Sequence, residues 1–339
     1  MLKATAVALA LGLIFMNFTG HCYDSLQVGY YEGKCGSLDV EAIVGSVITS
    51  WFHRDQTITA ALLRMQFHDC FVNGCDASIL LDGSNSEKTA QPNLNLRGFD
   101  IIDAAKAALE KVCPGVVSCA DIIVMATRDA VSLSEGGQYN AETGRRDGLV
   151  SLAANVHIPT PFISVPESIS AFANKGLNTT DMVYLLGGHS VGVSHCSLFQ
   201  GRLYNFQDTE KPDPTMDTSL LSTLKNACPR DAILDNTANL DQGTVGNSTI
   251  MDNTYYQEIL MRRGILQLDQ ELALHPLTNA TVKSAAIGDD FSNHFGQAMV
   301  KFGAIQVLTG IQGEIRRSCR AVNTIEGSVP VKNVNEASP

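Results

Sequence analysis

Residues 63–82 read LRMQFHDCFVNGCDASILLD, and no other stretch limits the fold as strongly. It packs an arginine, a histidine, aspartates and two cysteines into a short span. Arg64 and His68 are four apart, so on a helix they share a face and reach one small ligand together. Asp69 and Cys70 follow at once and must point elsewhere. A fold for this chain therefore has to present one polar face, pin the turn behind it, and place a partner opposite.

The N-terminus carries a targeting signal. Lys3 precedes an apolar run over residues 4–16, too short to span a bilayer and suited to a signal-peptide core. Gly20 and Cys22 are placed for cleavage after Cys22, which divides the chain into a signal peptide over 1–22, a domain over 23–323 and a C-terminal tail over 324–339. Cleavage leaves eight of the nine cysteines, an even set suited to four disulfides in an oxidising compartment. No CxxC pair is present, which argues against zinc. Secretion gives meaning to the Asn-x-Ser/Thr sequons at Asn178, Asn247 and Asn279, candidates for glycosylation. A net charge of −11 without a basic stripe excludes nucleic acid as a partner. No later segment is long and apolar enough to span a membrane.

Apolar spacing predicts helices over 38–53, 58–67, 97–112 and 118–133. In the second half it predicts helices over 166–175, 179–186, 196–204, 253–263, 278–287 and 289–302. Residues 135–165 and 207–253 read as mostly irregular, and strand periodicity is scarce. The class is mainly α. The helix over 118–133 is apolar enough to be central, so its Asp121 becomes a buried charge that needs a partner.

The candidate for the opposite side is His189. It follows Gly187 and Gly188, which let a bulky planar group approach the backbone. Asp269, in the run GILQLDQEL, is placed to accept the second ring N–H and make the imidazole a stronger donor. A haem between the two faces accounts for all four residues, with His189 as iron ligand and Arg64 and His68 across from it. A hydrolase is the weaker reading, because no G-x-S-x-G elbow is present. A non-catalytic haem and calcium binder leaves Arg64 and His68 unexplained.

These segments, with EKTAQPNLNLRGFD, VSCADI, GRRD, GGHSVG, RLYNF, DNTYY, LDQEL and RRSCRAVN, resemble in order the class III secretory plant haem peroxidases. The resemblance runs over residues 26–323. It implies two helical halves around one haem b, with very little β structure. It also implies reduction of hydrogen peroxide to water while phenolic donors are oxidised in one-electron steps. In that scheme His68 takes a proton from peroxide and returns it to the leaving oxygen, which needs a neutral imidazole. Arg64 stabilises the developing negative charge. Asn93 accepts the His68 ring N–H, Glu87 continues that hydrogen-bond chain, Phe67 shields the iron's distal side, and Pro159 contacts the donor.

The resemblance further implies two Ca²⁺ ions. The distal one falls to Asp69, Val72, Gly74, Asp76 and Ser78, with Glu87 behind them, a set of hard oxygens. The proximal one falls to Ser190, Asp241, Thr244, Ile250 and Asp252, in a loop three residues longer than the family's usual spacing. The implied disulfides are Cys35–Cys113, Cys70–Cys75, Cys119–Cys319 and Cys196–Cys228, and the implied buried ion pair is Asp121 with Arg146. The expected protein is a monomer secreted to the extracellular space or cell wall, with the vacuole as an alternative destination.

Overall fold

The computed structural model describes residues 26–243, 249–288 and 290–324. The expected signal peptide, Thr244, Asn247 and residues 325–339 lie outside the described residues. Twelve α-helices and one two-stranded ribbon are present among the described residues.

Four helices build the first half: α1 (Val40–Phe52), α2 (Ile58–Cys70), α3 (Phe99–Val112) and α4 (Cys119–Leu133). The Asp39 side chain caps α1 by accepting from Ala42 N, and the Ser118 hydroxyl caps α4 by accepting from Asp121 N. Helix α4 is central, since Ile122, Ile123, Met125 and Ala126 are all at most 1% exposed. It packs against α1, α2 and α3 around a core that includes Val44, Ile48, Leu62, Met65, Ile102 and Leu109.

The second half holds α5 (Val165–Ala173), α6 (Thr179–Leu186), α7 (Gln200–Tyr204), α8 (Thr218–Ala227), α9 (Thr254–Leu260), α10 (Gln267–Leu274), α11 (Asn279–Ile287) and α12 (Phe291–Gly303). Capping boxes start α5 and α6, built by Ser164 with Glu167 and by Asn178 with Asp181. Helices α5, α6 and α9–α12 enclose a second core, to which α2 contributes Cys70, Leu63 and Phe67 from its other side. A small third core under α7 and α8 is closed by the antiparallel pair β1 (Val193–His195) and β2 (Thr237–Asn239). Helix α2 thus sits between the two large cores.

Several sequence expectations need correction. Helix α2 runs on to Cys70, so Asp69 and Cys70 belong to its last turn. Residues 207–253 contain α8, whose Asp217 cap accepts from Leu220 N and whose Leu220 and Leu224 face the third core. Asp269 lies on α10, a helix absent from the predicted set. The predicted helix over 196–204 is a short turn at Cys196–Leu198 followed by α7. The partner of Asp121 is Arg145, with Nη1 at 2.8 Å, and not Arg146, whose Nε donates to the Gln312 carbonyl at 2.5 Å. These arginines lie in an isolated extended segment, where adjacent side chains point to opposite faces. One goes inward, and residue spacing does not say which.

The eight cysteines form Cys35–Cys113, Cys70–Cys75, Cys119–Cys319 and Cys196–Cys228. The third, with a sequence separation of 200, ties the start of α4 to the C-terminal segment. In the chain-entropy account a loop of that order stabilises the fold by about 4–5 kcal/mol.

Asp121 is fully buried and also accepts from Tyr31 Oη at 2.7 Å and Gly144 N at 2.7 Å. Arg145→Ala leaves that carboxylate without its counter-charge and is expected to cost about 3–5 kcal/mol. Arg146→Ala removes only part-exposed bonds to carbonyls and is expected to cost about 1 kcal/mol. Urea unfolding midpoints of the two variants check both values, and equal losses would contradict the assignment.

Candidate active site

Helix α2 carries Arg64 and His68 one turn apart on the side that neither core fills. Arg64 Nε donates to His68 Nε2 at 3.3 Å. The same guanidinium is held from its other edge, with Nη2 donating to Pro92 O at 3.0 Å and Nη1 to Asn95 O at 3.3 Å. These two carbonyls were not legible in the sequence, because they come from an irregular segment. His68 Nδ1 lies 2.5 Å from Asn93 Oδ1, so the ring donates there and leaves Nε2 as its acceptor, on the side of Arg64 Nε. Asn93 Nδ2 in turn donates at 2.7 Å to the backbone carbonyl of Glu87, not to its carboxylate.

His68 is 4% exposed. Burial pushes its pKa down to about 4; the Asn93 hydrogen bond opposes this and the Arg64 charge adds to it. The imidazole is therefore neutral at physiological pH and available as a base.

Facing α2 is the turn Gly187–Ser190, which ends α6. Its His189 Nδ1 lies 2.9 Å and 3.1 Å from the two Asp269 oxygens. Burial lowers the His189 pKa, but the charge and hydrogen bond of Asp269 outweigh it and the net shift is upward. With Nδ1 committed, Nε2 is the nitrogen left for a ligand. Tyr255 packs edge-on against the imidazole with ring centroids 6.1 Å apart.

The two sides fit a flat iron-bearing ring. Leu63, Arg64 and Phe67 on α2, and Gly188 and His189 opposite, keep part of their surface uncovered among buried neighbours. The His189 side chain is 32% exposed, while the Asp269 behind it is 2% exposed. A Cβ on Gly188 would stand 4.0 Å from Leu63, so the glycine keeps its backbone open on this side. Pro159 is partly buried, between Ile158, which packs on the second core, and the half-exposed Phe162.

Behind His68, buried carboxylates gather. Asp69 accepts from Ala77 N at 3.0 Å, and Asp76 accepts from Ser78 N at 3.0 Å. Burial, reinforced by the charges of Asp76 and Glu87, holds Asp69 well above the usual carboxylate range. Burial also raises Asp76 and pushes Glu87 up to about 7. The Ser78 hydroxyl and Glu87 Oε2 are buried without a well-aligned hydrogen bond, although the hydroxyl lies close enough to favour the charged carboxylate. The carbonyls of Val72 and Gly74 each accept one bond, from Lys175 Nζ at 3.1 Å and Asp76 N at 2.9 Å, and each keeps a lone pair. Among the described residues no three His, Cys, Asp or Glu side chains converge as a metal cluster. The fit therefore depends on mixed oxygens, which is the donor chemistry of calcium.

On the proximal side Asp241 is 6% exposed. Burial, joined by the charges of Asp252 and Glu258, pushes it up to about 6 against the Gly243 N–H. Ser190 Oγ is buried without a partner and Ile250 is partly buried. These oxygens suit a second cation, with Thr244 outside the described residues. Of the sequons, Asn178 is exposed at the start of α6, and Asn279 is half-buried with its amide nitrogen donating to Ala273 O.

A peroxidase family model matches residues 44–287 of this chain. Peroxidase 60 of Arabidopsis thaliana is 48% identical over 321 residues, which cover 94% of this chain and 96% of that protein. Peroxidase 57 of the same plant is 50% identical over 302 residues, covering 89% and 94%. Peroxidase N1 of Nicotiana tabacum is 43% identical over 303 residues, covering 88% and 90%.

The signs of the His68 effects are testable by following its imidazole resonances in an NMR titration. Protonation is expected near pH 4, so the ring is neutral from about pH 5 upward. Arg64→Gln removes a repelling charge and should raise that midpoint; Asn93→Leu removes a supporting acceptor and should lower it. Shifts of the opposite sign would contradict this account.

Proposed function

The chain belongs to the peroxidase family, within its class III plant branch, and reduces hydrogen peroxide; from that premise we propose how its own residues do so. The observation that carries the proposal is the pairing of a neutral, amide-anchored His68 with a carboxylate-anchored His189 on opposite walls.

Haem b held at His189 Nε2 would supply an iron that binds peroxide and the two oxidising equivalents its reduction leaves behind. His68 Nε2 accepts the proton of the nearer peroxide oxygen and delivers it to the farther one. Asn93 keeps the ring in the tautomer that allows this. The Arg64 guanidinium, fixed by Pro92 O and Asn95 O, stabilises the negative charge that develops as the O–O bond breaks. Phe67 excludes water on the same wall. Asp269 draws on the His189 ring proton and makes Nε2 a stronger donor. Small phenolic donors are oxidised one electron at a time beside Pro159.

Asp69, Val72, Gly74, Asp76 and Ser78, with Glu87 behind them, would hold a distal calcium, which would fix the residue next to His68. A second calcium is assigned to Ser190, Asp241, Thr244, Ile250 and Asp252. The protein acts as a secreted monomer with glycan at the exposed Asn178.

Protein loaded with haem should oxidise guaiacol with hydrogen peroxide, and absence of turnover despite a normal Soret band would sink the proposal. His68→Ala should retain haem and lose at least about 10²-fold in the peroxide reaction. Chelating calcium should slow that reaction before far-UV circular dichroism changes. Unchanged kinetics in stripped protein would count against the distal calcium assignment.

A further inference from the structure

A row of aromatic rings leads away from His189, and the peroxide reaction does not use it. Tyr255 meets His189 at 6.1 Å between centroids, Tyr256 meets Tyr255 at 5.0 Å, and Tyr184 meets Tyr256 at 6.3 Å. The row ends where the His294 ring stacks on Tyr184 at 4.8 Å, inclined by 25°. Tyr255 and Tyr256 are at most 1% exposed and Tyr184 is 5% exposed, whereas His294 is partly exposed. Edge contacts at these separations are ordinary aromatic packing, and they leave no gap between successive π-systems.

We propose that Tyr255, Tyr256 and Tyr184 form a one-electron relay, and that Tyr184 holds a radical when peroxide is consumed without a donor. The proposal rests on the reading of His189 as the haem anchor. Peroxide takes up two electrons and two protons to give two waters. One of the two electrons is drawn from the haem and the other from Tyr184 through the ring row. An oxidised phenol is a strong acid, so the electron leaves Tyr184 only if its proton also has somewhere to go. That condition separates the three tyrosines. Tyr256 Oη donates to the Val183 carbonyl at 3.0 Å and to the Tyr184 carbonyl at 3.3 Å, and carbonyls do not take protons. Tyr255 Oη is buried beside the Asp269 carboxylate, which already accepts the His189 N–H and is itself 2% exposed, so a proton passed there stays inside the core. Tyr184 has the hydroxyl of Ser284 beside its own, on the exposed face of α11. Its proton leaves to solvent by that hydroxyl, and a neutral phenoxyl remains. A phenol arriving at the α11 surface returns one electron and one proton and restores the tyrosine. The other branch from Tyr256 runs to Phe291 and Phe295, rings much harder to oxidise than phenol.

Gly187 keeps the row in register. A Cβ there would stand 2.4 Å from Tyr256 Oη and 2.7 Å from the Phe291 ring. The same glycine that precedes His189 therefore lets the middle ring approach the turn that carries the iron ligand.

The test uses the haem-loaded protein, mixed with one equivalent of hydrogen peroxide and no donor, then freeze-quenched for electron paramagnetic resonance. A tyrosyl signal is expected that narrows when the protein contains ring-deuterated tyrosine. Tyr184→Phe should abolish that signal while the Soret band and guaiacol turnover stay normal. Ser284→Ala, an exposed change, should move the high-field gx value upward as the phenoxyl oxygen loses its hydrogen bond. An undiminished signal in Tyr184→Phe, or an unmoved gx in Ser284→Ala, overturns the relay. Loss of the Soret band or of turnover in the parent protein instead overturns the haem assignment itself.

Discussion

The two polar walls depend on a close backbone contact at Gly192. Gly192, with φ of +93°, presses the strand after His189 against α2, where a Cβ would come within 2.8 Å of Ala60. One turn further along α2, Leu63 stands opposite Gly188, while Phe67 and Phe71 pack on Phe302 and Phe172 of the second core. The halves therefore touch through glycines near Ala60 and through aromatic rings at the end of α2. Any side chain at Gly192 must both adopt a strained backbone and widen this contact. The gap that suits a flat ring is a consequence of backbone approach at its base.

What lines that gap is fixed by unequal treatment of buried charge. Asp121 pairs with Arg145 Nη1 and accepts from three further donors, Tyr31 Oη and the Gly144 and Arg145 N–H groups, and serves as structural ballast for α4. The Arg202–Asp213 pair does the same under the third core, with Nε 2.8 Å from Oδ2. His68, in contrast, is buried with one amide and a nearby cation, so it is forced neutral and chemically available. Asp69, Asp76 and Glu87 are buried with few donors, and each is raised above the usual carboxylate range. The Cys70–Cys75 disulfide closes the short loop that Asp69 and Asp76 flank. The base and these carboxylates are thus adjacent products of one helix end.

The sequence made the local relations legible. Arg64 and His68 are tied by helical spacing, and Gly187–Gly188–His189 announces close approach before a ligand. The eight cysteines set the compartment, while their pairing needed the resemblance. Relations across irregular backbone were not legible. Arg145 and Arg146 are adjacent; strand-like alternation sends one of them inward, and residue type does not say which. The Glu87 contribution comes from its carbonyl, which residue type does not encode. Helix α8 has only Leu220 and Leu224 at its core, too short an apolar signal in a polar run. Helix α10 is short, and the spacing of its Leu268 and Leu272 is interrupted by the polar Asp269, Gln270 and Glu271. Tyr184 and His294 are 110 residues apart, with no periodicity linking them, and only the packing of α6 on α12 brings them together.

That last pairing bears on a general difficulty for a buried oxidant. A site that accumulates two oxidising equivalents must discharge them even when its donor is scarce, or oxidise whatever lies nearest. In this fold the aromatic ring against His189 is Tyr255, enclosed in the second core. A proton lost from an oxidised ring there would pass to the buried Asp269 carboxylate, which already holds His189, and would stay within the core. The rings of Tyr256 and Tyr184 extend the row toward α11 and His294, where a hydroxyl and solvent are at hand. The same packing that makes the second core dense thereby offers the charge a way out, and the cost is confined to one tyrosine near the surface.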